Sequence, residues 1–257
     1  GTFHPSIMQL TSLSFLELSS NSLNGTILSS IGQLSSLTYL NLGRNSLYGS
    51  IPLTIGYLTG LMYFSVSYNS ITGTIPTTIG LMTSLTSLDL SGNTLTGQLT
   101  AIGQWTKLKS LKLSSNALTG TLPTVIGLLT SLTFFDVSSN LLVGTLPTAI
   151  GSMSSLKGLI LSGVVISGTL PTTVGNLKSL TVLDISYNKM VGNLPSAIGF
   201  MTSLQELHKT ESLYRLRTQE LHKIEKEMEP IIKKAGAIRT ELQNLENKLY
   251  TLRKSCV

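Results

Sequence analysis

Apolar residues recur along this chain at a fixed spacing, and an asparagine follows each apolar group. The second copy runs Leu37-x-x-Leu40-x-Leu42-x-x-Asn45-x-Leu47-x-Gly49-x-Ile51-Pro52-x-x-Ile55-Gly56-x-Leu58. The asparagine position falls at residues 21, 45, 69, 93, 116, 140, 164 and 188, so the period is 24 residues with one interval of 23. A period in this range indicates a solenoid, in which each coil covers the apolar face of the next one.

Each repeat contains two predicted elements. The alternation in Leu-x-x-Leu-x-Leu predicts a short strand, and eight stacked copies form a parallel sheet with a strand spacing of about 4.8 Å. A buried amide must be hydrogen-bonded, so we expect the asparagines to bond the backbone of neighbouring coils and to serve the architecture. The segment from Gly-x-Ile-Pro to Ile-Gly-x-Leu is too short and too rich in glycine for a long helix. It predicts a 3₁₀ or short helical turn on the convex side.

The complete repeat resembles the plant-type subfamily of leucine-rich repeats, which is found in extracellular receptor ectodomains and in polygalacturonase-inhibitor proteins. The resemblance covers residues 1–207 and implies an α/β fold: a right-handed solenoid with a concave parallel β-sheet, often with a second short sheet near the Gly-x-Ile-Pro segment. It also implies binding of proteins, peptides or glycans, usually outside the cell. Family members are generally closed by paired-cysteine caps, whereas this chain has one cysteine, Cys256. Residues 1–10 resemble the second half of a repeat, so we expect the protein to continue upstream or to have been cut inside the solenoid.

Three positions depart from the repeat. Val164 occupies an asparagine position, so we expect a carbonyl or amide beside it to lose its partner. The repeat that contains residues 97–103 lacks one residue and the proline, which predicts a local change on the convex side. Trp105 stands where other repeats have leucine, and we interpret it as a core residue.

The outward-facing strand positions are free to vary, and a ligand would be recognised there. Aromatic residues and one arginine gather towards the N-terminal half at Phe15, Tyr39, Arg44, Tyr63 and Tyr68. Such residues are enriched at binding hot spots. Tyrosine also favours exposed strand surfaces, so the sequence leaves both interpretations open. Further along the sheet, Asp89, Lys112 and Asp136 fall in one column, and we interpret them as an exposed charge ladder that contributes little.

Composition removes several classes of function. Charged residues make up 12% of the chain, and the net charge of +6 is only +2 in residues 1–207, where basic residues are scattered. We therefore expect no nucleic-acid binding. No run approaches 18 apolar residues, so no transmembrane segment is predicted. The three histidines lack a metal-ligand spacing and no catalytic set is visible, so we predict no enzyme activity, metal or cofactor. Asn24-Gly25-Thr26 is a glycosylation sequon that is usable if the protein is secreted.

The composition changes abruptly after Leu207, which leaves an engineered fusion open. We predict a capping or linker segment over 208–219 and a heptad-patterned helix over 220–257. The predicted partner-helix seam comprises Leu221, Ile224, Met228, Ile231, Ile238, Leu242, Leu245, Leu249 and Leu252. Pro230 and Gly236 predict a kink or break. A parallel homodimer would pair like charges across this seam, which favours an antiparallel or heterotypic partner, although Cys256 in the seam could cross-link a parallel pair.

Two functional hypotheses follow. The first is a non-enzymatic recognition module that binds a protein, peptide or glycan on its concave surface, at the cell surface or outside the cell, with the tail mediating assembly. The second is a structural subunit of a large cytoplasmic assembly that is held by its coiled-coil tail. A glycan on Asn24 would favour the first hypothesis, and a reduced Cys256 without a glycan would favour the second.

Overall fold

The computed structural model describes residues 1–2, 4–209 and 226. The predicted segment 208–219 lies outside the described residues from residue 210 onwards, and the predicted helix over 220–257 lies outside them apart from Lys226. The predicted seam from Leu221 to Leu252 therefore also lies outside the described residues. The described repeats form one solenoid whose main sheet is parallel, as the periodicity predicts.

Among the described residues, the main sheet has nine strands of three residues each, which follow one another in chain order. The strands are Phe15–Glu17, Tyr39–Asn41, Tyr63–Ser65, Ser87–Asp89, Ser110–Lys112, Phe134–Asp136, Gly158–Ile160, Val182–Asp184 and Glu206–His208. The register places equivalent repeat positions side by side, for example Phe15 beside Tyr39 and Tyr39 beside Tyr63. The expectation of eight strands was one short, because residues 204–208 still carry the strand pattern although no asparagine position follows.

Short 3₁₀ helices lie on the opposite side of each coil. Their bounds are Pro5–Gln9, Ser29–Gln33, Leu53–Tyr57, Thr77–Leu81, Ile102–Gln104, Thr124–Leu128, Thr148–Ser152, Thr172–Asn176 and Ser196–Phe200. In most repeats a proline in extended conformation precedes the helix. The repeat that lacks one residue has a helix of only three residues, which begins after Ala101 at ψ 1°. The missing proline alone does not shorten the helix, because Leu28 replaces it before the five-residue helix Ser29–Gln33. The predicted change on the convex side is therefore present.

Strands of a second type precede or include the repeat glycine, and over residues 4–209 they form three small parallel sheets. The first contains Asn24–Thr26, Ser46–Ser50 and Ser70–Thr72; the second contains Thr96–Gly97 and Ala117–Leu118; the third contains Val143–Thr145, Val165–Gly168 and Lys189–Met190. A second sheet was expected from the resemblance, and it is present in these three pieces.

The asparagines from residue 45 onwards connect successive coils as predicted, whereas Asn21 is exposed and, among the described residues, bonds only carbonyls of its own coil. Asn45 donates from Nδ2 to the carbonyls of Leu18 and Leu42 at 2.9 and 3.0 Å, and its Oδ1 accepts the backbone N–H of Leu23 at 2.9 Å. The same pattern recurs at residues 69, 93, 116, 140 and 188. Each amide thus satisfies polar backbone groups that the leucine core would otherwise leave unpaired.

Val164 interrupts this asparagine ladder. Its side chain is 4% exposed, and the backbone N–H of Leu142, which an asparagine at 164 would cover, has no acceptor among the described residues. The carbonyls of Val137 and Leu161 are still bonded, by Asn140 and Asn188. The unsatisfied group expected from the sequence is therefore a single amide.

Trp105 lies in the core, as predicted. Its side chain is 1% exposed, and its Nε1 donates to the carbonyl of Ile79 at 3.1 Å. The indole thus fills a leucine position and also bonds a carbonyl of the preceding coil.

Candidate functional site

Three of the five predicted binding residues form one stacked row on the main sheet. Phe15, Tyr39 and Tyr63 occupy the first position of adjacent strands, where parallel pairing holds equivalent side chains about 4.8 Å apart. The ring centroids of Phe15 and Tyr39 are 4.3 Å apart, and those of Tyr39 and Tyr63 are 4.4 Å apart, with interplanar angles of 14° and 9°. Phe15 is 57% exposed, so the row is open at its outer end.

Glu17 anchors the middle of this aromatic row. Its Oε2 accepts hydrogen bonds from the Tyr39 hydroxyl at 2.9 Å and from Asn41 Nδ2 at 3.0 Å, while Oε1 accepts the Ser19 N–H at 2.8 Å. Desolvation alone would raise the pKa of Glu17, but these hydrogen bonds outweigh it and lower the pKa below its ordinary value. Desolvation, with the bond to Glu17, raises the pKa of Tyr39. The pair therefore stays as carboxylate and neutral phenol at neutral pH.

Arg44 and Tyr68 form a second group, at the position before the asparagine. Both residues have left-handed backbone conformations, with φ of 53° and 52°, which the repeat imposes at this position in most coils. The Arg44 guanidinium lies 4.7 Å from the centroid of the Tyr68 ring, a cation–π contact. On its other side the Tyr68 ring lies against Gly92, where a Cβ would come within 2.7 Å of Tyr68 Cδ1. Tyr68 is nevertheless 53% exposed.

A groove lies between this pair and Phe134, and the sequence interpretation missed it. Its lining residues are Arg44, Ser67, Tyr68, Asp89, Ser91, Lys112, Ser114, Phe134 and Asp136. The predicted charge ladder of Asp89, Lys112 and Asp136 is therefore the floor of the groove. Among the described residues, these three side chains form no ion pair within 4.0 Å. Their charges are available to a ligand.

The two aspartates share one arrangement that was readable in the sequence as Asp-x-Ser. Asp89 Oδ1 accepts the N–H and the Oγ–H of Ser91, at 3.1 and 2.5 Å, and Asp136 Oδ1 accepts the same two groups of Ser138, at 2.9 and 2.6 Å. Oδ2 of each carboxylate has no hydrogen-bond partner among the described residues. Each aspartate thus keeps one acceptor facing out of its own turn.

Other candidate chemistry is sparse over residues 1–2 and 4–209. No cluster of three or more His, Cys, Asp or Glu residues that could hold a metal ion occurs in that part of the chain. No helix described there is long and apolar enough to cross a membrane. Asn24 is exposed in a strand of the first small sheet, and its Oδ1 accepts the N–H of Gly25 at 2.6 Å.

Comparison with solved structures places the chain beside plant receptor ectodomains. A plant peptide hormone receptor, RGFR1 in complex with RGF2, matches with 36% identity and a TM-score of 0.81 over 82% of this chain and 34% of that one. The Arabidopsis receptor kinase HAESA, in complex with the peptide hormone IDA and the co-receptor SERK1, matches with 29% identity and a TM-score of 0.74 over 82% and 36% of the two chains. The chain thus spans about a third of the length of these receptors.

The same fold also occurs in a plant ice-binding protein, at 24% identity and a TM-score of 0.64, over 82% of this chain and 77% of that one. At that identity the likeness concerns the fold alone. No curated protein sequence matches the chain at a significant level. Models of the leucine-rich repeat match residues 12–34, 36–58, 60–82, 107–129, 131–153 and 179–201, and a second such model matches 82–98. With its repeated strand, asparagine ladder and 3₁₀ turn, the chain belongs to the leucine-rich repeat family.

Proposed function

We propose that this protein recognises an extended peptide along the outward face of its main sheet, without catalysis. The observation that carries the proposal is that the aromatic row (Phe15, Tyr39 and Tyr63) and the charged groove lie on the same face of the sheet, where the strand of Tyr63 pairs with that of Asp89. The row supplies rigid apolar contact area, and the groove supplies unpaired charges and hydrogen-bonding groups. Binding hot spots combine aromatic anchors with charged neighbours in this way. The receptors that match this chain are in complex with peptide hormones, which supports the same class of ligand.

The stacking favours a peptide over a glycan. A sugar ring packs on a free aromatic face, but both faces of Tyr39 are covered, one by Phe15 and one by Tyr63, so the row offers free ring faces at its two ends and ring edges between them. The ring edges of such a stack can contact the apolar side chains of a strand-like peptide. An extended peptide can also follow the sheet from the aromatic row to the groove.

A peptide selection experiment tests this proposal. Random peptides displayed on phage are selected against the immobilised full chain, and the affinities of the selected peptides are measured for variants. We expect the double variant Tyr39→Ala/Tyr63→Ala to bind at least about tenfold more weakly, because aromatic anchors at hot spots contribute about 2 kcal/mol or more. The matched control is Tyr57→Ala, which removes an exposed tyrosine from a 3₁₀ helix on the convex side. Equal affinities for a folded double variant and the parent chain would refute the proposal.

We further propose that the protein acts at the cell surface or outside the cell, and that the segment over 220–257 binds a partner helix in an antiparallel or heterotypic arrangement. Expression in a secretory cell line tests this location. Enzymatic deglycosylation should lower the apparent mass of the parent chain and leave the apparent mass of Asn24→Gln unchanged. An unglycosylated chain with reduced Cys256 would favour the alternative, a subunit of a cytoplasmic assembly. A parallel dimer that dissociates with reductant would contradict the proposed helix arrangement.

A further inference from the structure

Most repeats close the turn after the strand with one internal hydrogen bond. The third strand residue offers a side-chain oxygen, and this oxygen accepts the N–H of the residue two positions later. The acceptor and donor pairs are Glu17 and Ser19, Asn41 and Gly43, Ser65 and Ser67, Asp89 and Ser91, Asp136 and Ser138, and Asp184 and Ser186. The turn is therefore satisfied within its own coil in these six repeats.

The repeat at the centre of the groove breaks this rule. Lys112 stands at the acceptor position, and an ammonium group has three donors and no acceptor. The N–H and the Oγ of Ser114 consequently have no hydrogen-bond partner among the described residues. Lys112 itself makes no ion pair there, and its Nζ lies 5.8 Å from the centroid of the Phe134 ring. Two residues of one coil that line the groove thus carry three donor groups without an acceptor among the described residues.

We propose that this position binds a carboxylate of the peptide ligand, whose oxygen takes the place that Asp Oδ1 holds in the neighbouring coils. The aspartates at 89 and 136 show the geometry: one carboxylate oxygen accepts both the N–H and the Oγ–H of the serine two residues on. In the central coil Ser114 offers the same two donors, and Lys112 offers a positive charge to the incoming oxygen. Bonds of this charge-assisted kind are stronger than neutral ones. This inference rests on the proposed function and specifies the ligand of that surface.

The neighbouring strands define the chemistry on either side of the carboxylate. Asp89 and Asp136 are the register partners of Lys112, and each keeps Oδ2 without a partner among the described residues. The negative charges of these two aspartates would repel an incoming doubly charged anion such as phosphate more strongly than they would repel an incoming carboxylate. They would attract a basic side chain on each side of it. The two aspartates are two strand spacings apart, about 9.6 Å, which is about three residues of extended chain. The matching segment is an acidic residue with Lys or Arg one or two positions away on both sides.

The chain contains its own control. Ile160 occupies the same position one coil beyond Asp136, and the N–H of Ser162 has no acceptor among the described residues. That coil offers no positive charge, while Asp136 and Asp184 flank it on both sides. The Ser114 amide should therefore respond to an anion and the Ser162 amide should not, although neither amide has an internal acceptor among the described residues.

Amide NMR of the full ¹⁵N-labelled chain tests this inference. The probe is the blocked peptide acetyl-Gly-Lys-Glu-Gly-Lys-Gly-amide, and the comparison probes are the same peptide with Gln in place of Glu, and inorganic phosphate. We expect a saturable downfield shift of the Ser114 amide proton with the Glu peptide and no shift at Ser162. The Gln peptide should bind about tenfold more weakly, because its amide oxygen can still accept the Ser114 hydrogen bonds but lacks the negative charge that strengthens them and attracts Lys112.

Two substitutions sharpen the result. Lys112→Met should abolish the Ser114 shift because it removes the positive charge. Lys112→Asn restores an internal acceptor, as Asn41 provides for Gly43, without adding a third negative charge beside Asp89 and Asp136. It should therefore abolish the shift and also raise the denaturant midpoint of the chain. A Ser114 amide that does not move, or that moves equally with phosphate or together with Ser162, overturns the inference. The proposed function is tested separately, by the affinity of the phage-selected peptides for the double variant Tyr39→Ala/Tyr63→Ala.

Discussion

The clearest test of how this fold is stabilised is Val164→Asn, which restores the missing asparagine of the ladder. In the parent chain the Leu142 N–H is buried without an acceptor among the described residues, which costs about 1–3 kcal/mol. An asparagine at 164 should accept it at the 2.9–3.0 Å seen in the other coils. The loss of the buried valine side chain costs about 1.5 kcal/mol in return. With about 2 kcal/mol, the middle of the first range, the net stabilisation is about 0.5 kcal/mol.

The reverse substitution one coil earlier is the matched control. Asn140 accepts the N–H of Leu118 at 3.0 Å, so Asn140→Val should create at that position the defect that Val164 causes naturally. The unpaired amide costs about 1–3 kcal/mol and the buried valine side chain returns about 1.5 kcal/mol, so we expect a net destabilisation of about 0.5 kcal/mol. Urea unfolding followed by far-UV circular dichroism measures both changes, provided that the slope of the transition stays constant.

Hydrogen exchange locates the effect, because repeat proteins can unfold coil by coil. In Val164→Asn the Leu142 amide should exchange more slowly. The exchange rates of amides several coils away should change only by the amount expected from the change in global unfolding free energy. A lower urea midpoint together with unchanged exchange at Leu142 would show that the missing asparagine is not what weakens this coil.

Three further outcomes are expected. Trp105→Phe should lower stability by about 1–2 kcal/mol, measured by urea unfolding, because it removes a buried hydrogen bond and some apolar volume. The pKa of Glu17 is lowered in the folded state, so the ionised carboxylate makes a small stabilising contribution above the ordinary glutamate pKa. That contribution is lost as the pH falls through the lowered pKa of the folded state. The difference in unfolding free energy between the parent chain and Glu17→Gln should therefore shrink as the pH falls over that interval. Gly158→Ala places a Cβ within 2.7 Å of Phe134 Cδ2, so it should displace that ring, alter peptide affinity at the groove and leave the binding of peptides confined to the Tyr39 region unchanged.

The periodic features were predictable because each of them is determined by one repeat position. Leucine spacing defines the core, and the buried amide of Asn45 has only the backbone to bond. The short 3₁₀ helix at Ile102–Gln104 follows from the deleted residue, since the repeat that has Leu28 in place of the proline keeps a five-residue helix. Trp105 could be assigned to the core because it replaces leucine in a column that is otherwise buried.

The site was only partly predictable because it depends on relations between positions. The sequence identified the aromatic residues, but it could not show that Phe15, Tyr39 and Tyr63 stack while Arg44 packs on Tyr68 in a separate group. The groove was missed because Asp89, Lys112 and Asp136 were treated as one column of charges. What distinguishes these charges is the serine two residues later in each coil. The aspartates accept hydrogen bonds from that serine, whereas Lys112 cannot accept one from Ser114.

An unpaired amide therefore has opposite consequences in this fold, according to its exposure. At Leu142 it is buried, so no ligand can reach it and the defect can only reduce stability. At Ser114 it opens on the groove beside a lysine, where an external acceptor can replace the missing internal one. A ligand competes poorly for donors that are already bonded within their own coil. The internal hydrogen bond is already formed in the folded chain, whereas the ligand loses conformational and translational freedom when it replaces that bond. In a repeat protein whose coils satisfy themselves, recognition should thus concentrate where an exposed coil departs from the pattern, and Lys112 marks such a coil in the described part of this chain.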